Sequence, residues 1–178
     1  LRIIFLGRIT RSKNILGALE MVSKLDSDVI FDIYGPIQDE ECWEKCKRRI
    51  QSLPPNIKVR YKGAVEPNNV TDLFGCHDLF LFPTSYESFG HVVIESLSAG
   101  CPVLISDRTP WMDLEEQQAG WVVEYSNIDR FRQLLAIISE MGPQEYALYS
   151  NKAIEYANRM AGDSTVIDAH RRLLCHET

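Results

Sequence analysis

Short runs of almost purely apolar residues alternate along the chain with longer stretches in which apolar residues recur at helical spacing. The runs have the length of strands. Because most of them lack alternation of apolar and polar residues, they predict strands covered on both faces. Strands that alternate with helices favour β-α-β units, which build an open and mainly parallel sheet. The predicted strands are Ile3–Leu6, Val29–Tyr34, Ile57–Tyr61, Leu79–Phe82, Val103–Ile105 and Trp121–Val123.

Helical spacing continues beyond the last of these strands, so two additional helices are predicted near the C-terminus. We therefore predict a Rossmann-like α/β fold with an open, mainly parallel six-stranded sheet, helices on both faces and extra C-terminal helices. No repeat, low-complexity tract or linker interrupts the pattern, which predicts a single domain over residues 1–178. The predicted helices are Lys13–Leu25, Asp39–Leu53, Asn68–Gly75, His91–Ala99, Asp113–Gln118, Ile128–Met141, Gln144–Met160 and Thr165–His176.

The composition is that of an ordinary soluble domain, since 45% of the 178 residues are hydrophobic and 25% are charged. No apolar run approaches the roughly 18 residues that a membrane-spanning helix needs. These values exclude a disordered chain, a collagen-like chain and a small scaffold held together by disulfides.

Charge is unevenly distributed along the chain, although the net charge is only −6. Residues 1–63 hold 12 basic and 8 acidic residues, a balance of +4, whereas residues 64–178 hold 7 and 17, a balance of −10. An acidic chain argues against nucleic acid or an anionic membrane as the main partner. The basic first part can hold a small phosphorylated ligand, or its charges can simply lie on solvated helices.

Five cysteines stand at positions 42, 46, 76, 101 and 175. The number is odd and the spacings match no zinc or redox motif, so we expect free thiols in a reducing, cytoplasmic compartment. The chain begins inside a predicted strand, without an initiator methionine or a signal peptide. We therefore expect it to be a piece of a longer protein.

Several well-known site motifs are missing from the sequence. The loop after the first predicted strand lacks the dinucleotide pattern G-x-G-x-x-G, and neither a P-loop nor a G-x-S-x-G elbow occurs. These absences weaken the interpretations as an NAD-dependent oxidoreductase, a P-loop NTPase and a serine hydrolase. The acidic segment Asp26-Ser27-Asp28 lies in the turn that leads into a strand, so we interpret it as solvated turn rather than metal site.

Ligands of open α/β sheets bind beyond the carboxyl ends of the strands. After the first strand, Gly7 permits a sharp exit of the chain, Arg8 follows directly, and Lys13 is expected to open the next helix. Two fixed cations at this edge can neutralise a diphosphate, Arg8 through its planar fork and Lys13 as a point charge. Arg11 belongs to the same loop and can equally face solvent, and the alternative interpretation is that all three are ordinary surface charges.

A second candidate segment runs from Ser85 to Glu95, after a strand that is closed by Pro83. Gly90 and His91 are predicted to start a helix, whose free N–H groups and positive dipole end form an anion site. Glu95 lies one turn further on and should lean towards the same place.

A carboxylate accepts two hydrogen bonds from a vicinal diol. Glu87 can therefore hold sugar hydroxyls, and Glu95 can hold ribose hydroxyls. Alternatively, the two carboxylates only complement the helix dipole, which is worth about 0.3–1 kcal/mol each.

The spacing Glu87…Glu95, followed by residues 96–104, resembles the E-x7-E signature of the group 1 (family 4) retaining glycosyltransferases, which have the two-domain GT-B fold. The resemblance extends from Gly7-Arg8…Lys13 through Gly63-Ala64-Val65 to residues 119–123. It points to the C-terminal, donor-binding domain of these enzymes. The N-terminal acceptor domain would then lie outside the chain.

The resemblance implies a role for each matching residue. Arg8 and Lys13 would bind the donor diphosphate, and with Glu87 they form the predicted catalytic set. Glu87 and the backbone of residues 89–91 would meet the sugar and the phosphates, Glu95 would hold the ribose, and the base would lie near residues 35–36 and 63–65. The predicted donor-binding residues are Gly7, Arg8, Lys13, Gly35, Gly63, Val65, Glu87, Phe89, Gly90, His91 and Glu95.

The sequence also departs from the family pattern. Ser88 stands where proline or glycine is common, and Thr109-Pro110-Trp111 replaces a Gly-Gly pair after the fifth strand. Backbone contacts to the sugar are therefore not carried over to residues 109–111. We expect Trp111 to pack on the sheet edge, with stacking on a sugar as the alternative.

The predicted function is transfer of a hexose from a UDP- or GDP-sugar to a hydroxyl acceptor, without a metal or other cofactor. The expected partners are the nucleotide sugar and the protein's own acceptor domain. Nucleic acid is not expected, and membrane contact is expected only through the absent domain. The alternatives are a sugar-nucleotide epimerase, a glycan phosphorylase carrying pyridoxal phosphate on a lysine, and a nucleotide-binding module without catalysis.

Overall fold

A computed structural model describes residues 1–162 of the chain. Its centre is one six-stranded sheet in the order β3-β2-β1-β4-β5-β6, in which every neighbouring pair is parallel. The predicted Rossmann-like α/β fold is therefore confirmed, and all six strands lie within two residues of the predicted bounds. The strands are β1 Arg2–Leu6, β2 Val29–Tyr34, β3 Ile57–Gly63, β4 Leu79–Phe82, β5 Val103–Ser106 and β6 Gly120–Val123.

Three adjacent inner strands of the sheet, β1, β4 and β5, are buried on both faces. Every residue of Ile3–Leu6, Leu79–Phe82 and Val103–Ser106 is buried, as their continuous apolar sequences predict. The strand order reverses direction between β1 and β4, which are adjacent although two strands separate them in sequence. At such a switch point, the loops after the two strands diverge and leave a crevice at the carboxyl edge.

The helices contact one another in two groups, α1 with α2 and α5, and α4 with α3 and α6. These groups provide the cover that a sheet buried on both faces requires. Within residues 1–162, no helix combines the length and the hydropathy needed to cross a membrane. The α-helices are α1 Ile15–Val22, α2 Glu40–Gln51, α3 Val70–Gly75, α4 His91–Ser98, α5 Ile128–Glu140 and α6 Pro143–Gly162.

The first helix begins later than predicted, so Lys13 does not open it. Arg11–Lys13 form a 3₁₀ turn, and Asn14 adopts a left-handed conformation with φ of 55° before α1 starts. The Asn14 side chain caps α1 by accepting a hydrogen bond from the N–H of Gly17 at 3.2 Å. This break holds Lys13 in the loop. The segment before α3 is divided in a similar way, with a 3₁₀ turn at Pro67–Asn69.

The predicted helix Asp113–Gln118 is wrong, because residues 114–118 form turns. Gln118 has φ of 54°, and the N–H of Ala119 donates to the carbonyl of Leu114, so the chain turns back before a helix can extend. The predicted helix Thr165–His176 lies outside the described residues.

Candidate functional site

A cavity of about 580 Å³ opens at the carboxyl edge of the sheet, at the switch point between β1 and β4. Its volume falls within the range of small-molecule sites. Its walls come from the loop after β1 and from the loop after β4 with the first turns of α4. The structure thus brings together eight of the predicted donor-binding residues: Gly7, Arg8, Lys13, Glu87, Phe89, Gly90, His91 and Glu95.

The other three predicted residues, Gly35, Gly63 and Val65, do not line this cavity. Gly35 lies against the loop after β1, since a Cβ atom there would be 1.8 Å from the carbonyl oxygen of Gly7. Its N–H donates to the carbonyl of Gly63 at 2.8 Å, which ties the ends of β2 and β3 together. These residues continue the same sheet edge beyond the cavity, and their predicted contact with the base stays a prediction.

The two predicted cations have different surroundings. Arg8 is exposed and makes no hydrogen bond or ion pair with any residue in the range 1–162. Lys13 is buried to 9% exposure, its ammonium lies 5.2 Å from the centre of the Phe82 ring, and it forms an ion pair with Glu87. Arg8 is therefore free to meet an anion, whereas Lys13 already carries a counter-charge.

Glu87 and Lys13 are joined at 2.7 Å between Oε2 and Nζ. Burial opposes ionisation of Glu87, but the Lys13 ammonium outweighs it, with help from the Ser88 and Phe89 backbone N–H groups, so the pKa of this carboxyl is lowered. The Phe89 N–H donates to Oε1 at 3.4 Å. Sequence reasoning assigned Lys13 to the phosphates and Glu87 to the sugar, and did not foresee that they pair.

The amino end of α4 faces the cavity. Gly90 precedes the helix with φ of 77° and ψ of 52°, and no side chain caps the helix there. His91 and Glu95 are exposed, one turn apart, and both line the cavity, as their spacing predicts. The helix dipole and the absence of a side-chain cap make this end attractive to an anion. Glu95 can accept hydrogen bonds from hydroxyl groups beside it.

A set of hydrogen bonds fastens the loop after β4 to the loop after β1. The carbonyl of Ser12 accepts from the N–H of Ser85 at 2.7 Å, from its hydroxyl at 3.1 Å and from the hydroxyl of Thr84 at 3.0 Å. The side chain of Asn14 donates to the carbonyl of Pro83 at 3.1 Å. Both walls of the cavity are therefore one connected unit. Sequence reasoning missed these residues, because single serines and threonines in loops carry no distinctive signal.

Trp111 supports the cavity from behind. It is buried to 6% exposure and does not line the cavity, so packing rather than an open stacking surface describes its position. Its indole N–H donates to the carbonyl of Phe89 at 2.7 Å, and the two rings meet edge to face at 5.9 Å. The sequence drew attention to Trp111 but did not indicate this bond.

Comparisons with known proteins point to an enzyme family. The family model of glycosyl transferases group 1 matches residues 1–159. O-antigen chain mannosyltransferase B of Escherichia coli is 26% identical over 132 residues, covering 71% of this chain and 33% of that enzyme. Poly(glycerol-phosphate) alpha-glucosyltransferase of Bacillus subtilis is 28% identical over 162 residues, covering 88% of this chain and 23% of that enzyme.

Among solved structures, HepE from Anabaena, in complex with UDP and glucose, superimposes with a TM-score of 0.84 at 17% identity. The alignment covers 98% of this chain and 48% of the HepE chain, so the likeness shows the fold. The chain spans less than half the length of each of these three relatives. Since the family model extends over most of the chain, the resemblance carried by Glu87 and Glu95 is confirmed, and the chain belongs to the group 1 glycosyl transferases.

Proposed function

We propose that the chain is the donor-binding domain of a retaining glycosyltransferase that moves a hexose from a UDP- or GDP-sugar to a hydroxyl acceptor. The observation that carries this proposal is the cavity at the switch point, where the unpaired Arg8 and the uncapped amino end of α4 border the same space. Two sources of positive potential on opposite walls suit a diphosphate. HepE was solved with UDP and glucose, which makes UDP the first ligand to test.

Arg8 binds the diphosphate and stabilises the negative charge that develops on it as the bond to the sugar breaks. A fixed cation beside a leaving group accelerates such a step because it needs no reorganisation during the reaction. The amino end of α4 contributes in the same way from the other wall. Group transfer to the acceptor hydroxyl releases the nucleoside diphosphate and one proton.

Lys13 binds the diphosphate and Glu87 binds the sugar, and the ion pair that joins them couples the two contacts. A diphosphate beside Lys13 shares the ammonium, which leaves a Glu87 oxygen available for sugar hydroxyls. Burial in the loop strengthens the contact of Lys13 with the diphosphate and that of Glu87 with the sugar, because the local dielectric constant is lower than in water. Glu95, one turn into α4, reaches the ribose. The base extends towards Gly35 and Gly63.

The acceptor domain lies outside the chain in this proposal, which the greater length of the relatives supports. We also propose a cytoplasmic location. The described cysteines support it, because Cys42, Cys46, Cys76 and Cys101 are all free thiols.

The test is a calorimetric titration of the full-length protein with UDP, GDP, ADP and their sugars. We expect one of the nucleoside diphosphates to bind, and Glu95→Gln to weaken that nucleotide with and without its sugar. Glu87→Gln should weaken only the nucleotide sugar. Each lost hydrogen bond to a charged group should cost about 1.5–3 kcal/mol. Failure of all three nucleotides to bind would refute the proposal.

The reaction is tested by turnover of the full-length protein with the nucleotide sugar that binds. Nuclear magnetic resonance of the product should show the same anomeric configuration as the donor. An inverted product would refute the retaining mechanism but leave donor binding intact. Binding without any turnover over a panel of hydroxyl acceptors would favour the non-catalytic module.

A further inference from the structure

Trp111 lies directly behind the wall of the cavity that α4 begins. It follows β5, in the segment where Thr109-Pro110-Trp111 stands. Its indole N–H donates to the carbonyl of Phe89 at 2.7 Å, yet Trp111 is not among the residues that line the cavity. The carbonyl of Phe89 is therefore turned away from the cavity, towards the buried indole.

The orientation of this carbonyl fixes the N–H of the next residue. The peptide bond between Phe89 and Gly90 is planar and trans, so its C=O and N–H point in opposite directions. With the carbonyl held by Trp111, the N–H of Gly90 points to the cavity side. That N–H has no hydrogen-bond partner among the residues the structure describes. A flipped peptide would direct a carbonyl oxygen into the same space and repel an anion.

We propose that Trp111 is a positioning residue for the donor diphosphate, an inference that rests on the proposed function. Trp111 locks the Phe89–Gly90 peptide so that the amide of Gly90 is presented to a phosphate oxygen. The indole does not touch the nucleotide sugar. It acts through the peptide, and its ring fills the space behind the wall.

The packing around Trp111 and Gly90 supports this assignment. A Cβ atom at Gly90 would lie 3.1 Å from Nε1 of Trp111 and 3.1 Å from Cγ of Glu87, so the indole fits closely behind the glycine. The ring of Tyr156, from α6, meets the indole edge to face at 6.3 Å, and its hydroxyl donates to Asp113 at 2.6 Å. The indole is thus held from both sides, which a peptide lock requires.

The test is Trp111→Phe in the full-length protein, titrated with whichever of UDP and GDP the wild type binds more tightly. Phenylalanine keeps an aromatic ring and removes the N–H donor. We expect the nucleoside diphosphate to bind about tenfold more weakly, the effect of one hydrogen bond to a charged group. Competition by the nucleoside alone should not change, because it has no phosphate for the Gly90 amide.

Trp121→Phe is the matched control. Trp121 is buried to 7% exposure on β6, stacks on Tyr149 at 4.5 Å between ring centres, and does not line the cavity. Its replacement removes the same atoms from an equally buried site, so we expect a comparable change in urea unfolding and no change in nucleotide affinity. Equal weakening of the nucleoside diphosphate by both variants would overturn the proposal, since it would indicate a general loss of packing.

Unchanged affinity in Trp111→Phe would also overturn the proposal, while the proposed function would stand as long as the wild type binds. If the wild type binds neither nucleotide, both the proposed function and the role of Trp111 are refuted. If Trp111→Phe does not fold, a measurement on the wild type tests the role of Trp111 instead. In protein labelled with ¹⁵N-glycine, the Gly90 amide resonance, assigned through its loss in Gly90→Ala, should shift downfield when the nucleotide is added. No shift would refute the lock.

Discussion

Arg8 and Lys13 carry the same charge at the same edge of the sheet, but they differ in exposure and in whether a counter-charge is already bound. Arg8 is exposed and has no counter-charge among the described residues, whereas Lys13 is buried against Phe82 and paired with Glu87. Binding at Arg8 breaks no existing interaction. Binding at Lys13 has to share an ion pair, which lowers the net gain.

Replacing Arg8 by alanine should therefore weaken UDP binding without a change in stability. We expect a loss of about 1.5–3 kcal/mol in binding free energy, the range for hydrogen bonds to charged groups. Calorimetry at low and high salt measures it, and the wild-type affinity should fall with salt more steeply than that of the variant. Arg11→Ala is the control, because Arg11 is exposed and paired with Asp39 and Glu41. Equal losses in the two variants would contradict a specific role for Arg8.

The ion pair between Lys13 and Glu87 makes the free energy of unfolding depend on pH. Burial raises the pKa of Glu87, but Lys13 outweighs this effect, so the folded pKa lies below the ordinary 4.5. A carboxyl with a lowered folded pKa stabilises the fold above its unfolded pKa, and this contribution disappears as the pH falls through the folded value.

Glu87→Gln should accordingly be less stable than the wild type at neutral pH, and the difference should vanish in acid. The free energy of urea unfolding, measured between about pH 3 and pH 7, tests this expectation. Glu66→Gln, which alters an exposed carboxylate without a side-chain partner among the described residues, should follow the wild-type curve. A constant gap between wild type and Glu87→Gln down to the lowest pH would show that the ion pair contributes nothing to it.

The start of α4 combines two demands that one residue has to meet. Gly90 occupies the left-handed region, with φ of 77°, and a Cβ atom there would lie 3.1 Å from atoms of both Glu87 and Trp111. A side chain there would be strained by its backbone and would press on both neighbours. The left-handed conformation of Gly90 therefore sets the direction in which α4 leaves the loop, and with it the direction of the α4 dipole.

Gly90→Ala should destabilise the fold by about 1–2 kcal/mol, the usual cost of a left-handed residue with a Cβ atom. It should also weaken UDP binding, because the first N–H groups of α4 are displaced. Urea unfolding and calorimetry measure the two effects. Gly142→Ala is the control, since no atom lies within 4 Å of its Cβ position, and alanine there should stabilise by about 0.4–1 kcal/mol. Two variants of equal stability would contradict the proposed strain.

Sequence patterns predicted well those elements that are set by their local sequence rather than by contacts with distant residues. Continuous apolar runs specify buried strands, and the position of strand ends then brings Arg8, Glu87 and Glu95 to one edge. The start of α1 was misplaced because the Asn14 turn depends on a bond to Pro83, which is 69 residues away. The pairing of Lys13 with Glu87 across 74 residues was unpredictable for the same reason.

A ligand that binds the folded state but not the unfolded state stabilises the whole domain against unfolding. At a UDP concentration of 100 times Kd, the gain is about 2.7 kcal/mol. Since about 1 kcal/mol corresponds to 2–4 °C for a chain of this size, we expect Tm to rise by several degrees.

Thermal unfolding of the wild type with and without UDP measures this rise. Arg8→Ala should show a smaller rise at the same UDP concentration, and Arg11→Ala should match the wild type. A wild-type Tm that stays constant while calorimetry records binding would place the UDP contact outside the cooperative fold.

The bonds between Ser12 and the loop after β4 have a consequence for engineering and for evolutionary divergence. One carbonyl accepts hydrogen bonds from both Thr84 and Ser85, and Asn14 holds Pro83. The ion pair of Lys13 with Glu87 joins side chains of the same two loops. A graft that exchanged only residues 83–90 for those of a homologue would replace Glu87 and the hydroxyls of Thr84 and Ser85 but leave Lys13 and Asn14 in place. Donor preference should therefore transfer between homologues only when residues 7–14 move together with residues 83–90, and substitutions in the two loops should co-vary across lineages.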